Sequence, residues 1–199
     1  MPQQGIAQLQ TVVASDDVEF ATSALMPLLD AGPLLDQRAQ LVPYAAVLPV
    51  KGGVQEGGSG EPAFRSGLAD HLTAEVAAGT AALAASGAAP LIQIRQVGGA
   101  INDVDPMATA YAHRTQNFCL GAVGYSLPDL NRRWDADVQP LMQGRYLSGD
   151  TDTRPERLDD AFPGARLERL RELKAVYDPT NVFNQNFPIT PATWARAAG

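Results

Sequence analysis

The chain has 199 residues, 45% of them apolar and 19% charged, which is enough to bury a core of its own. Its net charge of −7 argues against nucleic acid or an anionic membrane as the main partner, because both select a basic face. No run approaches the roughly 20 apolar residues of a membrane-spanning helix, residues 1–6 lack the basic start of a secretion signal, and the single cysteine, Cys119, allows no intrachain disulfide and fits a reducing, cytoplasmic setting.

In chain order, Asp16 or Asp17 is placed to cap a helix running through Leu29, closed by Gly32-Pro33. Residues 43–50 read as a short strand and residues 51–61, rich in glycine, as a mobile loop. Within that loop Gly57-Gly58-Ser59-Gly60 is followed by Glu61-Pro62, not by the lysine and helix of a phosphate-cradling turn. Residues 64–67 are a predicted strand, and residues 73–86 an alanine-rich helix ended at Gly87. Residues 90–97, with β-branched and apolar side chains in part alternation, are the clearest strand. Residues 108–113 and 117–126 read as two further strands, and residues 128–142 and 156–162 as helices.

The last helix carries Leu167, Leu170, Leu173 and Val176 as one apolar stripe. Asp178-Pro179 stops it, since a residue before proline is pushed out of the α region. The amide-rich tail beyond reads as built to lie against another surface. Together these elements predict an α+β fold, an antiparallel β-sheet covered on one face by helices, with a C-terminal helix and extended tail.

Few residues suggest chemistry by themselves. His71 and His113 stand far apart, without a partner cysteine or clustered carboxylates, so no metal site is expected. Asp103 and Asp105 flank a turn that lacks the twelve-residue calcium pattern. Ser59, Ser66 and Ser126 have no nucleophile-elbow context. Cys119, between Phe118 and Leu120, reads as a buried, inert thiol.

Tyr177-Asp178-Pro179-Thr180-Asn181-Val182-Phe183, followed by Asn186 and Ile189, resembles the C-terminal signature Tyr-Asp-Pro-x-Asn-x-Phe-x-x-Asn-x-x-Ile of the berberine-bridge-enzyme-like FAD-linked oxidases. Gly144-Arg145-Tyr146-Leu147-Ser148-Gly149 falls where that family has Tyr-x-Asn. Gly98-Gly99-Ala100 and Ala108-Thr109-Ala110-Tyr111-Ala112-His113-Arg114 resemble its Gly-Gly-Ala and Ala-Thr-Ala-Phe-x-His-Arg. Weaker agreement begins near residues 24–30 and includes Pro43-Tyr44, so the likeness runs over most of the chain, to Pro191.

The resemblance implies a substrate-lobe-like α+β domain over 1–144 and a C-terminal segment over 145–199, made of a Tyr-x-Ser strand, a helix and the tail. In the family that segment returns to pack on a separate FAD-binding lobe, which nothing in these residues resembles. Tyr146 is the implied catalytic base, taking a substrate hydroxyl proton if neighbours lower its pKa from about 10. Arg145, adjacent on a strand, would point to the opposite face. Ser148, where the family has an asparagine that contacts the flavin, and Asn186 are the implied cofactor-binding residues. His113 and Arg95 are taken as substrate-binding. Plainer roles compete: a tyrosine bonded to nearby backbone, a turn-making asparagine and a structural histidine.

Three functions fit. The first is the substrate-binding part of a FAD-linked oxidoreductase acting on a small organic molecule, with FAD bound only together with a separate flavin lobe. The second is a flavin-independent derivative that binds, cyclises or isomerises a small apolar metabolite. The third is a non-catalytic interaction protein, dimeric through its orphaned sheet face. The retained tyrosine-to-phenylalanine corner favours the first; Ser148 favours the other two.

Overall fold

Asp17 starts the first helix, α1 (Val18–Leu29), its carboxylate accepting from the amides of Glu19 and Phe20 and so satisfying two of the donors a helix start leaves free. The structure, a computed structural model, describes residues 7–30, 32–47 and 61–192. The chain divides into two compact units, Met1–Glu56 and Gly57–Gly199. The boundary drawn at 144/145 from the resemblance falls inside the second unit.

In the first unit no side chain of α1 is buried. The strand expected at 43–50 is instead a 3-10 turn at Tyr44–Val47, closed by the Ala46 amide on the Pro43 carbonyl at 2.8 Å. The fixed backbone angle of Pro43 suits the start of a helical turn, which the two alanines extend. Residues 48–60, holding the rest of that strand and the glycine-rich loop, lie outside the described residues.

The second unit is built on β1 (Ala63–Ala69), β2 (Leu91–Gln96) and β3 (Phe118–Gly124), antiparallel in the order β1-β3-β2. Helix α2 (Ala74–Ala85) begins at Thr73, whose hydroxyl accepts from the Val76 amide, and ends before Gly87 at φ 73°. Helix α3 (Leu127–Asp137) begins at Ser126. It stops before Pro140, so the single helix expected over 128–142 is α3 followed by a 3-10 turn at Gln139–Leu141. Likewise 156–162 is a 3-10 turn at Pro155–Arg157 leading into the short α4 (Leu158–Ala161). The last helix, α5 (Ala165–Tyr177), follows Gly164, whose φ of 62° only glycine adopts cheaply.

Side chains alternate across a strand, so register assigns the faces. Leu68 pairs with Cys119, which pairs with Arg95; Ser66 pairs with Gly121, which pairs with Gln93. Ala63, Leu120 and Ala122 face Val76 and Leu83 of α2 and Leu130 and Trp134 of α3, forming the core. The opposite face carries Phe64, Ser66 and Leu68, then Cys119, Gly121 and Val123, then Leu91, Gln93 and Arg95. Neither α2 nor α3 packs there. The fold is α+β, with helices on one side of an antiparallel sheet.

Two expected strands are absent. Residues 108–113 form an irregular segment: Asp105 accepts from the Met107 amide in the turn just before it, and Arg114 binds the Ile101 carbonyl at 2.8 Å and the Thr109 hydroxyl at 2.7 Å. Gly144 makes one isolated bridge to Leu68, after which the chain turns into a 3-10 helix at Leu147–Gly149, so Tyr146 and Ser148 do not share a strand. The α5 stripe also divides: Leu167 is buried, Leu170 and Leu173 are half-buried, and Val176 is exposed.

Candidate functional site

The outer edge of β1 is closed by residues 143–151. The Gln143 amide meets the Leu68 carbonyl, the Leu68 amide the Gly144 carbonyl, and the Thr151 amide the Phe64 carbonyl, at 2.8, 2.8 and 2.9 Å. Between these, Asp150 accepts from the Ser66 amide at 3.0 Å. Buried charge holds this segment down. Arg145 grips Asp150 through Nε at 3.0 Å and Nη2 at 2.7 Å, the two-pronged geometry that suits guanidinium and carboxylate. Arg65, fully buried, lies 3.2 Å from Asp135, 3.4 Å from Asp152 and 3.7 Å from Asp150. Burial lowers the Arg65 pKa against the pull of those three carboxylates. Burial pushes the Asp152 carboxyl up, but Arg154 and Arg65 outweigh it and hold it below the usual range.

Tyr146 stands on this clamped segment. The Ser66 hydroxyl donates to the Tyr146 carbonyl at 2.6 Å and accepts from its amide at 3.2 Å. Since Leu68 lies opposite Gly144, Ser66 lies opposite Tyr146, and the tyrosine shares the face opposite α2 and α3. Its ring meets Tyr111 edge-on at 6.0 Å, and Tyr111 meets His113 edge-on at 5.8 Å. The Arg114 guanidinium covers the Tyr111 ring at 5.0 Å. Burial, with help from the neighbouring Cys119 thiol and Tyr146, raises the Tyr111 phenol above 10, against Arg114.

His113 is buried, its ring pressed on Gly144, where a Cβ would lie 2.3 Å from Cε1 and 2.4 Å from Nδ1. Burial lowers its pKa below 6.5, so the ring is neutral at pH 7. Cys119 lies on the same face; burial raises its pKa, and Arg95 draws it only partly back. It is an unreactive thiol at neutral pH.

Of the residues singled out in sequence, Tyr146 and His113 are brought together through Tyr111. Arg95 is exposed in the row Arg95, Cys119, Leu68, Gly144, each neighbouring strand about 4.8 Å away. Ser148 is exposed on the turn after Tyr146, and Asn186 is exposed in the tail at φ 61°. Arg145 does turn away from Tyr146, buried against Asp150. Sequence reading missed Tyr111, Ser66 and Gly121. The alternation of β3 could have marked Gly121, because a mid-strand glycine calls for a reason.

The C-terminal corner is a second feature. The Asp178 carboxylate accepts from the amides of Val182 at 2.8 Å and Phe183 at 3.0 Å, and it pairs with Lys174, which also binds the Phe183 carbonyl at 2.6 Å. The Lys174 hydrogen bond holds Asp178 below the usual carboxylate range, with the two amides adding to it. Asn181 takes φ 55°, a left-handed turn that asparagine tolerates. This latch presents Tyr177 and Phe183, each 82% exposed, beside exposed Val176 and Val182.

Residues 149–190 match the family described as berberine and berberine like. The FAD-linked oxidoreductase sorD of Penicillium rubens is 29% identical over 48% of this chain and 23% of its own length. Among solved structures, aclacinomycin oxidoreductase superposes with a TM-score of 0.59 at 17% identity, over 89% of this chain and 42% of that one. A Physcomitrella patens BBE-like 1 variant gives 0.54 at 23% identity, over 65% and 30%. A chitooligosaccharide oxidase gives 0.51 at 22% identity, over 65% and 32%. At these identities the superpositions speak to fold alone, and the chain spans less than half the length of each of these four proteins. The chain is similar to part of the berberine-bridge-enzyme-like FAD-linked oxidases and carries their berberine-type segment at residues 149–190.

Proposed function

We propose that the chain is the substrate-binding part of a FAD-linked oxidoreductase acting on a small organic molecule, with the flavin held mainly by a separate lobe. The observation that carries this reading is the sheet face opposite α2 and α3. It sets Tyr146, Tyr111 and Arg95 on one side of a sheet, yet a ligand site is ordinarily a concavity that buries most of its ligand. A face becomes such a site when a second body closes over it. The corner at Tyr177 and Phe183 supplies an apolar surface on which that body can dock.

A bound flavin would supply the hydride acceptor. Tyr146 would take the hydroxyl proton, with its backbone clipped to Ser66 and its ring fixed by Tyr111. Ser148 and Asn186, both exposed, are the side chains offered to the cofactor. Two such groups suit the edge of a ring and make no cradle for a diphosphate, so most of the cofactor's grip lies outside the described residues. Ser148, shorter than the asparagine it replaces, also supports a second reading, a flavin-independent derivative that uses the same face.

The test is an absorbance spectrum of the protein purified from its native host, with the mass of every co-purifying chain. A yellow complex with flavin bands and a second polypeptide supports the oxidoreductase. A colourless protein, alone or self-associated, overturns it in favour of the flavin-independent reading.

A further inference from the structure

Four glycines on or beside the sheet ask different things of their surroundings. A Cβ at Gly67 would strike Met142 at 2.5 Å, one at Gly124 the Ala88 carbonyl at 2.4 Å, and one at Gly144 the His113 ring at 2.3 Å. Packing explains those three. At Gly121 the nearest atom would be the Gln93 carbonyl at 3.9 Å, which is ordinary contact distance. Glycine in the middle of a central strand weakens it and offers no side chain to pack. Among the described residues, packing therefore gives Gly121 no reason to be glycine.

Its surroundings suggest one. Gly121 lies on the face opposite α2 and α3, between Cys119 and Val123 along β3 and between Gln93 and Ser66 across the sheet. The gap is one side chain deep over Gly121 and opens toward β2, while Cys119 and Ser66, which border it, are buried. Its floor is peptide, its ends are apolar, and exposed Gln93 and Arg95 line the β2 side, about 7 Å apart. Beyond Ser66 stand Tyr146 and Tyr111.

We infer that Gly121 is a specificity-determining residue, the floor of a site for a flat, unsaturated ring system that directs a carboxylate or carbonyl oxygen toward Arg95 and Gln93 and a hydroxyl toward Tyr146. A flat ring fills a gap one side chain deep and contacts the exposed peptide plane. A bulky saturated ligand would meet Val123 and Cys119. Arg95 gives a fixed positive fork for the oxygen, and Gln93 an amide donor beside it. This inference rests on the reading that the Tyr146 face receives the substrate.

The test is a fluorescence titration of 6-hydroxy-2-naphthoate into the protein as purified from its native host, with any co-purifying chain. Saturable binding is expected. Gly121→Val should weaken it at least tenfold while the thermal midpoint holds or rises, because valine suits a strand and meets open space. Arg95→Met should weaken 6-hydroxy-2-naphthoate at least tenfold but leave 2-naphthol, which lacks the carboxylate, within twofold. No saturable binding, or Gly121→Val binding as the native protein does, overturns the inference. Should Gly121→Val fold poorly, Gly121→Ser serves as the second variant with the same expectation. The flavin spectrum reads the oxidoreductase proposal separately: ring binding by a colourless protein keeps the site and removes the redox reading, and a yellow complex that ignores the probe does the reverse.

Discussion

The Ser66 hydroxyl closes both backbone valences of Tyr146, accepting from its amide at 3.2 Å and donating to its carbonyl at 2.6 Å. One buried side chain on β1 thus fixes the backbone of the candidate base against the sheet. Ser66→Ala leaves two polar backbone groups without that partner, and a loss of about 1–3 kcal/mol of stability is expected. Urea denaturation measures it, and faster amide exchange at Tyr146 should accompany it. A loss below about 0.5 kcal/mol would mean the clip contributes little.

Gly144 and His113 share one space. In Gly144→Ala the new methyl meets atoms of the buried His113 ring at 2.3–2.4 Å, and overpacking of this kind costs about 1–3 kcal/mol. His113→Ala alone opens a cavity. Combined, the two changes should cost clearly less than their sum, since each relieves the other. Additive costs would show that the contact does not limit the packing.

The depressed pKa of His113 has a pH signature. Burial is the main cause, Arg166 adds to it, and Asp160 with nearby carbonyls opposes it. The unfolded chain then binds a proton near 6.5 that the folded chain refuses, so stability falls as pH drops from 7 toward the folded value. Denaturation midpoints at pH 7 and pH 5 should differ in that direction. His113→Asn should flatten the slope; an unchanged slope would assign it to other groups.

Asp150 sits between Arg145 and Arg65 with no exposed surface on its side chain. Asp150→Ala leaves two buried guanidinium groups short of a partner and should cost about 3–5 kcal/mol, more than Ser66→Ala. Because the ion pair brackets the turn after Tyr146, exchange protection at 146–149 should fall in the same variant. Full protection there would separate the ionic cluster from the site.

The Asp178 latch makes the exposed corner testable without knowing what docks on it. Asp178→Asn keeps the shape but loses the charge that Lys174 holds, so amide exchange at Val182 and Phe183 should quicken. Acid should do the same to the native chain: the carboxyl is depressed below 3.8, so its contribution is complete above that value and is lost as pH falls through the folded one. In a complex with a flavin lobe, Phe183→Ser should weaken association at least tenfold while leaving the isolated chain's thermal midpoint unchanged.

Much of this was legible in order along the chain. Asp17, Thr73 and Ser126 cap helices because their side-chain oxygens reach free amides two or three residues on, a local event. Asp178-Pro179 ended α5 for a local reason too. The sheet's face was less legible. Residues 108–113 alternate like a strand, but the Ala108 amide turns back to the Asp105 carbonyl and Arg114 ties the Thr109 hydroxyl to the Ile101 carbonyl, contacts that no sequence period reports. Residues 44–47 form a 3-10 turn rather than a strand because Pro43 favours a turn.

The site divides the same way. Sequence by itself singled out Tyr146, His113 and the tail as candidates, because short motifs carry residue identity and spacing, and it determined that helices would cover one side of a sheet, because hydrophobic periods are local. Only the tertiary structure decided that Tyr111 stands between Tyr146 and His113, that Ser66 holds Tyr146 from 80 residues away, and that Gly121 is a bare floor where Gly67, Gly124 and Gly144 are filled. Those facts depend on strand register, and register is chosen by the whole core rather than by any one segment.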